Sequence, residues 1–344
     1  HPVTRGTAQN PDIYFQAREA SNIFYEQIVE TVKFYLSQVG ELTGRPHGLF
    51  DYYGAPDATA IIVAMGSVTQ TIEETVDYLN AQGAKYGVLE VHLYRPFSMK
   101  DFLGQIPTSV TRIAVLDRTK EPGALGEPLY LDVRHCYYDE DITPIIIGGR
   151  YGLGSKDTTP ADIKAVYDNL VAEKPKNHFT VGIVDDVTHT SLAKIEKIDT
   201  APKGSVQCKF WGLGSDGTVG ANKQAIKIIG NHTNKYVQAY FDYDSKKSGG
   251  LTVSHLRFGD VPIKSTYLVD EADYVACHNQ SYIYQYDLVK GLKEGGTFVL
   301  NCRWDNDQLD EMLPASLKSE MANKAIKLYT IDAIKIAEEV GLGN

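Results

Sequence analysis

Short runs rich in isoleucine and valine alternate along this chain with amphipathic segments, and this alternation is the strongest constraint on its fold. Strands without polar alternation are buried on both faces, which is typical of parallel sheets covered by helices. We therefore expect two three-layer α/β/α domains with mostly parallel sheets, the second of them Rossmann-like. In the first series, strands are predicted at 59–65, 85–93, 112–116, 142–148 and 179–184, with a helix at 70–82.

A second series of strands and helices begins near residue 205. Its strands are predicted at 206–211, 236–241, 251–256, 274–277, 296–300 and 325–329, and its helices at 222–229, 285–290, 309–311 and 330–340. The polar, lysine-bearing stretch 185–204 separates the two series and is the best candidate for a linker. We divide the chain into an N-terminal arm and helix at 1–47, a first domain at 48–192 and a second domain at 193–344.

Composition narrows the classes of partner. With 43% hydrophobic and 23% charged residues, the chain has the make-up of an ordinary globular protein. Its formal net charge of −10 and the absence of a basic stripe argue against nucleic acid and anionic membranes. The four cysteines include no C-x-x-C pair, so neither an iron–sulfur cluster nor a structural zinc is predicted. No apolar run approaches the roughly 20 residues of a membrane helix, and we expect a cytoplasmic location.

Three glycines, Gly212, Gly214 and Gly217, form a G-x-G-x-x-G pattern between the predicted strand at 206–211 and the helix at 222–229. Such a turn lets the backbone approach phosphate oxygens while the helix N-terminus faces the anion. The same glycines also suit a plain strand-to-helix turn without a ligand. Asp242 and Asp244 could be the ribose-binding acid of a dinucleotide fold, but they come later than the usual spacing of about 20 residues, which disfavours NAD.

Polar residues follow three predicted strands of the second series, in the segments 212–223, 254–259 and 277–281. Ligands of open α/β sheets lie at the carboxyl ends of strands, so we expect these segments to meet. Lys223 and Arg257 would supply cations, and Asn279 is among the neutral hydrogen-bonding groups, a set that suits a polyphosphate-bearing ligand.

Each of these residues also has a structural interpretation. Lys223 and Arg257 are equally well explained as solvated charges, and a single histidine such as His255 is more often structural than catalytic. In the first series no nucleophile–base pair is visible, and Glu121 and Glu127 are interpreted as solvated charges.

Longer motifs resemble the single-chain pyruvate:ferredoxin (flavodoxin) oxidoreductases. The first sixteen residues, HPVTRGTAQNPDIYFQ, are similar to the end of that family's first domain. LYRPF at 93–97 and LDRTKEPG at 116–123 resemble its transketolase C-terminal-like second domain. GLGSDGTVGANK at 212–223 and SHLRFG at 254–259 resemble its third domain, which multi-subunit relatives carry as a gamma chain.

This resemblance implies a function for the longer protein. The family converts pyruvate and coenzyme A to acetyl-CoA and carbon dioxide, and it reduces ferredoxin or flavodoxin with thiamine diphosphate, Mg²⁺ and [4Fe–4S] clusters. The thiamine and cluster motifs are missing here, so the chain is expected to be a middle piece, inactive alone, whose partners are the remaining domains and a second copy in a homodimer.

The resemblance further implies that the third domain binds coenzyme A and positions its thiol. The residues that it carries over as coenzyme A ligands are Gly214, Ser215, Asp216, Gly217, Thr218, Val219, Asn222, Lys223, His255 and Arg257. Asn279 joins them from the comparison of strand ends. Two other hypotheses stay open at this stage, a self-contained NAD-binding dehydrogenase and a purely structural module.

Overall fold

A computed structural model describes residues 8–141, 143–193, 197–243 and 249–342. The chain divides into two compact units, His1–Thr200 and Ala201–Asn344, and each contains a six-stranded sheet. The domain limits predicted from the sequence, after residues 47 and 192, stay predictions. None of the described helices combines the length and the apolar composition needed to cross a bilayer.

The first unit is a doubly wound sheet with strand order β1-β3-β2-β4-β5-β6, parallel throughout except for the edge strand β1, which runs antiparallel to β3. Its strands are β1 Phe50–Gly54, β2 Ala60–Ala64, β3 Tyr86–Val91, β4 Arg112–Asp117, β5 Ile145–Arg150 and β6 Phe179–Thr180. Its helices are α1 Pro11–Ala20, α2 Asn22–Thr43, α3 Val68–Asn80, α4 Met99–Gln105, α5 Pro128–Cys136 and α6 Pro160–Val171.

Helices cover both faces of this sheet, as predicted. All five residues of β2 are buried, because alternate side chains enter different apolar clusters. Ile62 packs with α3 and α6 on one face, while Ile61 packs with α4 and α5 on the other. The predicted strand at 179–184 was too long, because only Phe179 and Thr180 pair with β5.

The N-terminal segment is more helical than its prolines and polar residues indicated. Pro11 stands in the first turn of α1, where proline's missing N–H is not needed by the helix. A break at Ser21 separates α1 from α2, which ends at Gly44 in the left-handed conformation, with φ 68°. The helix expected within 1–47 is confirmed as α2, whereas residues 11–20 of the expected arm are helical as well.

The carboxyl ends of β4 and β5 carry a buried polar cluster. Asp117 accepts hydrogen bonds from the backbone N–H groups of Leu129 and Tyr130, at 3.0 and 3.1 Å, and so holds the start of α5. Glu127 is 2% exposed and lies 3.4 Å from Arg150, which also donates to the His178 carbonyl at 2.9 Å. The interpretation of Glu127 as a solvated charge was therefore wrong.

The second unit has a mixed sheet in the order β12-β11-β10-β7-β9-β8. Strands β12, β11, β10 and β7 are parallel, whereas β9 runs antiparallel to both β7 and β8. The strands are β7 Val206–Leu213, β8 Tyr236–Tyr243, β9 Leu251–Gly259, β10 Ala272–Cys277, β11 Leu292–Asn301 and β12 Lys327–Ile331. The helices are α7 Thr218–His232, α8 Asn306–Met312, α9 Ala315–Asn323 and α10 Ala333–Glu339.

This sheet is also covered on both faces. Ile226 of α7 packs against Cys208 and Leu256, and the opposite face packs against α9. The predicted helix at 285–290 is wrong: a 3₁₀ turn at Gln280–Tyr284 precedes an irregular segment instead. A segment of six residues has little helical stability of its own, so tertiary packing decides whether it becomes a helix. Helix α9 was not predicted.

The buried pair in the first unit gives a stability prediction. We expect Glu127→Ala to lower the free energy of unfolding by about 3 kcal/mol, because Arg150 would keep its charge without its carboxylate partner. Denaturant unfolding measures this difference. Glu121→Ala is the matched control, since this exposed glutamate should contribute less than about 0.5 kcal/mol. Equal decreases in the free energy of unfolding in both variants would contradict the assignment of Glu127 and Arg150 as a buried ion pair.

Candidate functional site

The glycine-rich loop joins β7 to α7, and its geometry explains the glycines at positions 212 and 217. Helix α7 begins at Thr218, four residues before the predicted start, with Gly217 as its N-cap at φ 87°. A Cβ on Gly212 would lie 2.3 Å from the Thr218 hydroxyl oxygen, so only glycine allows this close approach of strand and helix. Ser215 also has a positive φ, 74°. The tight turn predicted from the sequence is present.

Asp216 holds this loop from within. Its carboxylate accepts hydrogen bonds from the backbone N–H groups of Leu213 and Thr218, both at 2.8 Å. The loop is also tied to the following hairpin, because the Gly214 N–H donates to the Gly250 carbonyl at 2.7 Å. Asp216 is therefore a bracing residue of the loop, and it occupies one of the N–H groups of the helix start.

A cavity of about 390 Å³ lies beside the loop. Of the predicted ligand residues, five line it: Gly214, Ser215, Asp216, Gly217 and Val219. Six lining residues were not predicted as ligands: Leu213, Gly220, Tyr243, Gly250, Leu251 and Thr252. Val219 and Gly220 belong to the first turn of α7, where backbone N–H groups have no partner within the helix. The cavity thus combines a helix N-terminus with polar side chains.

Some buried polar atoms of the second unit have no hydrogen-bond partner within the described part of the chain. They include the Thr252 hydroxyl oxygen and the Asn222 side-chain nitrogen, on residues that are 6% and 3% exposed. Burying an unpaired polar group is unfavourable, and such groups are usually satisfied by protein, water or a ligand. Thr252 belongs to the lining of the cavity, while its hydroxyl oxygen itself is buried.

Tyr243 and Thr252 reach the loop because they pair across an antiparallel hairpin of β8 and β9. Neither residue was predicted as part of the site, because the sheet was expected to be mostly parallel and no β8–β9 hairpin was predicted. The Gly249-Gly250 pair between two strand-like runs was the available signal, because glycine pairs are typical of hairpin turns. Residues 244–248, which include Asp244, lie outside the described part of the chain.

Two more predicted residues lie close to the loop but outside the cavity lining. Thr218 is buried, and its hydroxyl lies 2.8 Å from Nδ1 of His278. Burial lowers the pKa of His278, while the nearby Asp216 carboxylate opposes this effect. Lys223 is exposed on α7, and its ammonium group lies 5.3 Å from the centre of the Phe241 ring.

The segment 254–259 is not at the end of its strand next to the loop, and this expectation was wrong. Because β9 is antiparallel to β7, Thr252 pairs with Gly212, whereas Arg257 pairs with Gln207. Five residues along a strand span about 17 Å. The structure therefore brings the beginning of β9 to the glycine loop and takes His255 and Arg257 away from it.

Arg257 has several protein partners where it lies. It is 2% exposed and donates to the side-chain oxygens of Gln207 and Gln238, at 3.0 and 3.1 Å, and to the carbonyls of Ser265 and Tyr267. These bonds tie β7, β8 and the segment after β9 together. Arg257 is accordingly a structural residue of the sheet in this structure, and not a surface charge.

His255 and Asn279 also have local partners. The His255 Nδ1 accepts a hydrogen bond from the Val269 N–H at 3.1 Å. Burial, with the positive charges of Lys209 and Arg257, lowers the pKa of His255 to about 3. The Asn279 side chain accepts hydrogen bonds from the backbone and hydroxyl of Ser281 and so caps the 3₁₀ turn. Neither residue lines the cavity beside the glycine loop.

Comparisons with known proteins agree with the motif resemblance. The family description "Pyruvate ferredoxin/flavodoxin oxidoreductase" matches residues 207–344, and "Pyruvate:ferredoxin oxidoreductase core domain II" matches residues 58–163. The chain belongs to the pyruvate:ferredoxin/flavodoxin oxidoreductase family. Both the glycine loop and the strand that carries Arg257 fall within the first of these matches.

Relatives within the pyruvate:ferredoxin/flavodoxin oxidoreductase family are similar over the whole chain. Pyruvate-flavodoxin oxidoreductase of Enterobacter agglomerans is 62% identical over 344 residues, and pyruvate:ferredoxin oxidoreductase of Moorella thermoacetica is 60% identical over 344 residues. The chain spans 29% of the length of each of these two proteins. Among solved structures, a pyruvate oxidoreductase subunit of Thermotoga maritima is 22% identical, covering 41% of this chain and 70% of its own, with a TM-score of 0.33.

Burial of His255 predicts a pH dependence for this oxidoreductase-family unit. The pKa of His255 falls from 6.5 to about 3 on folding, so the unfolded chain binds a proton that the folded unit does not bind between these values. The contribution of His255 to the free energy of unfolding is fully present above pH 6.5. It decreases as the pH falls towards 3, by up to about 1.4 kcal/mol per pH unit. Denaturant unfolding at pH 4, 5, 6 and 7 measures the slope.

His255→Asn keeps a hydrogen-bond acceptor and removes the titrating ring, so we expect it to flatten the slope. His232→Asn is the control, because His232 is exposed in the last turn of α7. A slope that stays unchanged in His255→Asn would show that His255 does not cause it.

Proposed function

We propose that this chain acts within a longer pyruvate:ferredoxin/flavodoxin oxidoreductase, where its second unit binds coenzyme A at the glycine loop. The observation that carries the proposal is the cavity beside that loop, which is lined by the glycine loop and by the first turn of α7. Its volume of about 390 Å³ is within the usual range for small-molecule sites. Membership of this oxidoreductase family is the reason for proposing coenzyme A as the ligand.

The phosphates of coenzyme A would lie against the first turn of α7. The backbone N–H groups of Val219 and Gly220 are the donors there, and the helix dipole adds partial positive charge. Lys223 lies one turn further along and would add a full positive charge. Tyr243, which lines the cavity and is 55% exposed, would offer an aromatic face to the adenine ring.

The unit's contribution to the reaction would be positional. Coenzyme A brings its own nucleophile, the thiol, and the described residues of the cavity include no histidine or cysteine that could act as base or nucleophile. Holding a thiol in the right place converts a bimolecular step into one of much higher effective concentration. Binding and orientation are therefore the work of this piece.

The rest of the activity belongs to parts of the parent protein beyond this chain. We propose that thiamine diphosphate, Mg²⁺ and the [4Fe–4S] clusters are held there, that ferredoxin or flavodoxin takes the electrons, and that the parent is a cytoplasmic homodimer. The domains 48–192 and 193–344 would then be its transketolase C-terminal-like and gamma-type domains. Alone, the chain would not oxidise pyruvate.

A structural module is the second candidate, and one observation favours it. Asp216 already occupies the Thr218 N–H and places a carboxylate beside the position where a phosphate would lie. A loop that satisfies its own donors in this way could serve only as a rigid connection. A binding measurement separates the two functions.

Calorimetric titration with coenzyme A tests the proposal. We expect saturable binding to the wild-type chain, binding weakened roughly 5- to 30-fold in Lys223→Ala, and no binding in Gly220→Glu. Gly220 has nothing within 4 Å of an added Cβ, so Gly220→Glu should fold while it places a negative side chain at the cavity. Lys227→Ala is the matched control, because Lys227 is also an exposed lysine of α7.

Two results would overturn the coenzyme A site. One is the absence of saturable binding at millimolar coenzyme A, which would favour the structural module. The other is equal affinity in the wild type, Lys223→Ala and Gly220→Glu, which would place the ligand elsewhere. NADH fluorescence enhancement that is lost in Gly220→Glu would instead support a dinucleotide site at the same loop.

A further inference from the structure

Two histidines and an aspartate converge at one edge of the first unit, in a place that coenzyme A binding does not use. The carboxylate oxygen Oδ2 of Asp51 lies 2.9 Å from Nδ1 of His47 and 3.0 Å from Nε2 of His92. One ligand atom from each residue lies within 4.8 Å of the other two. The ring centres of the two histidines are 5.0 Å apart.

The backbone explains why these residues meet although His92 is 41 positions after Asp51. Strand β1 pairs antiparallel with β3, and the His92 N–H donates to the Leu49 carbonyl at 3.0 Å just beyond the paired residues. The other oxygen of Asp51, Oδ1, accepts the Gly48 N–H at 2.7 Å. This bond holds the carboxylate in place and leaves Oδ2 facing both imidazoles.

We propose that His47, Asp51 and His92 form a binding site for a divalent transition-metal ion of the Zn²⁺ class. Imidazole nitrogen and carboxylate oxygen are ordinary ligands of Zn²⁺, with bond lengths of about 2.0–2.2 Å. Two ligand atoms at that distance from one ion, separated by an angle of 90–110°, are roughly 2.8–3.6 Å apart. The two observed separations, 2.9 and 3.0 Å, fall within this range.

The arrangement of charge and solvent supports an ion at this site. The three side chains are 48%, 33% and 30% exposed, for His47, Asp51 and His92 respectively, so an ion and its water ligands can enter. A carboxylate oxygen of Glu90 lies 3.9 Å from Nε2 of His92, so a further oxygen atom is close to the three ligand atoms. Without metal, Asp51 can accept N–H bonds from both rings; with metal, the ion replaces those two hydrogens and each ring carries its proton on the other nitrogen.

The site would connect the segment before β1 to the end of β3. An edge strand is joined to its sheet on one side only, so a metal bridge there would hold β1 in place. With three protein ligands, the ion would keep at least one position for water. A ligand that binds the folded unit and not the unfolded chain raises its thermal stability.

Zinc titration of the full chain tests this proposal. All chains in this test carry His1→Ala, which removes a histidine that lies outside the described residues. The chain with this substitution alone is the parent of the other variants. We expect one equivalent of Zn²⁺ to bind saturably and to raise the unfolding temperature of the parent. His92→Ala and Asp51→Asn should each weaken binding at least tenfold and abolish the shift. Co²⁺ at the same site should give the strong visible absorption of a low-coordination nitrogen–oxygen site.

His232→Ala is the matched control, because it removes an exposed histidine that is not in the cluster, and its zinc affinity should equal that of the parent. Should His92→Ala fail to fold, His47→Gln decides the question, since His47 lies outside any strand. Equal affinity in the parent and in a folded His92→Ala or His47→Gln chain would overturn the proposal. So would the absence of saturable binding in the parent.

Discussion

The backbone ladder between β7 and β9 is the constraint on which the second unit depends. Eight residue pairs, from Val206–Phe258 to Leu213–Leu251, fix the direction and the register of β9. Because the pairing is antiparallel, the start of β9 lies beside the glycine loop, and its end lies beside the start of β7. This pairing brings Thr252 to the cavity and keeps Arg257 away from it.

Buried polar groups then decide what the displaced residues do. Arg257 donates hydrogen bonds from Nε and Nη1 to side-chain and backbone oxygens, and these bonds offset part of the cost of its burial. His255 stays neutral between cationic neighbours and serves as an acceptor for a backbone N–H. In the first unit, Glu127 and Arg150 compensate one another in the same way. Charged residues that looked like surface or ligand groups are thus parts of the interior.

The first unit also shows how an edge strand can create a site. Strand β1 is the one strand of its sheet that runs antiparallel among the described residues, and it was not predicted. Its pairing with β3 places His47, Asp51 and His92 together. Their spacing in the sequence, 47, 51 and 92, contains no metal-binding signature that a motif search could recognise.

Local sequence determined the α/β class, the buried central strands such as β2, the tight glycine turn and the family, because periodicity, glycine geometry and long motifs are properties of neighbouring residues. Tertiary structure alone decided strand direction, and with it the pairing of Gly212 with Thr252 and of Gln207 with Arg257. An isolated apolar run carries no information on whether its partner strand will be parallel or antiparallel. Hydrogen bonds between distant segments make that choice, and so they also decide which side chains share a site.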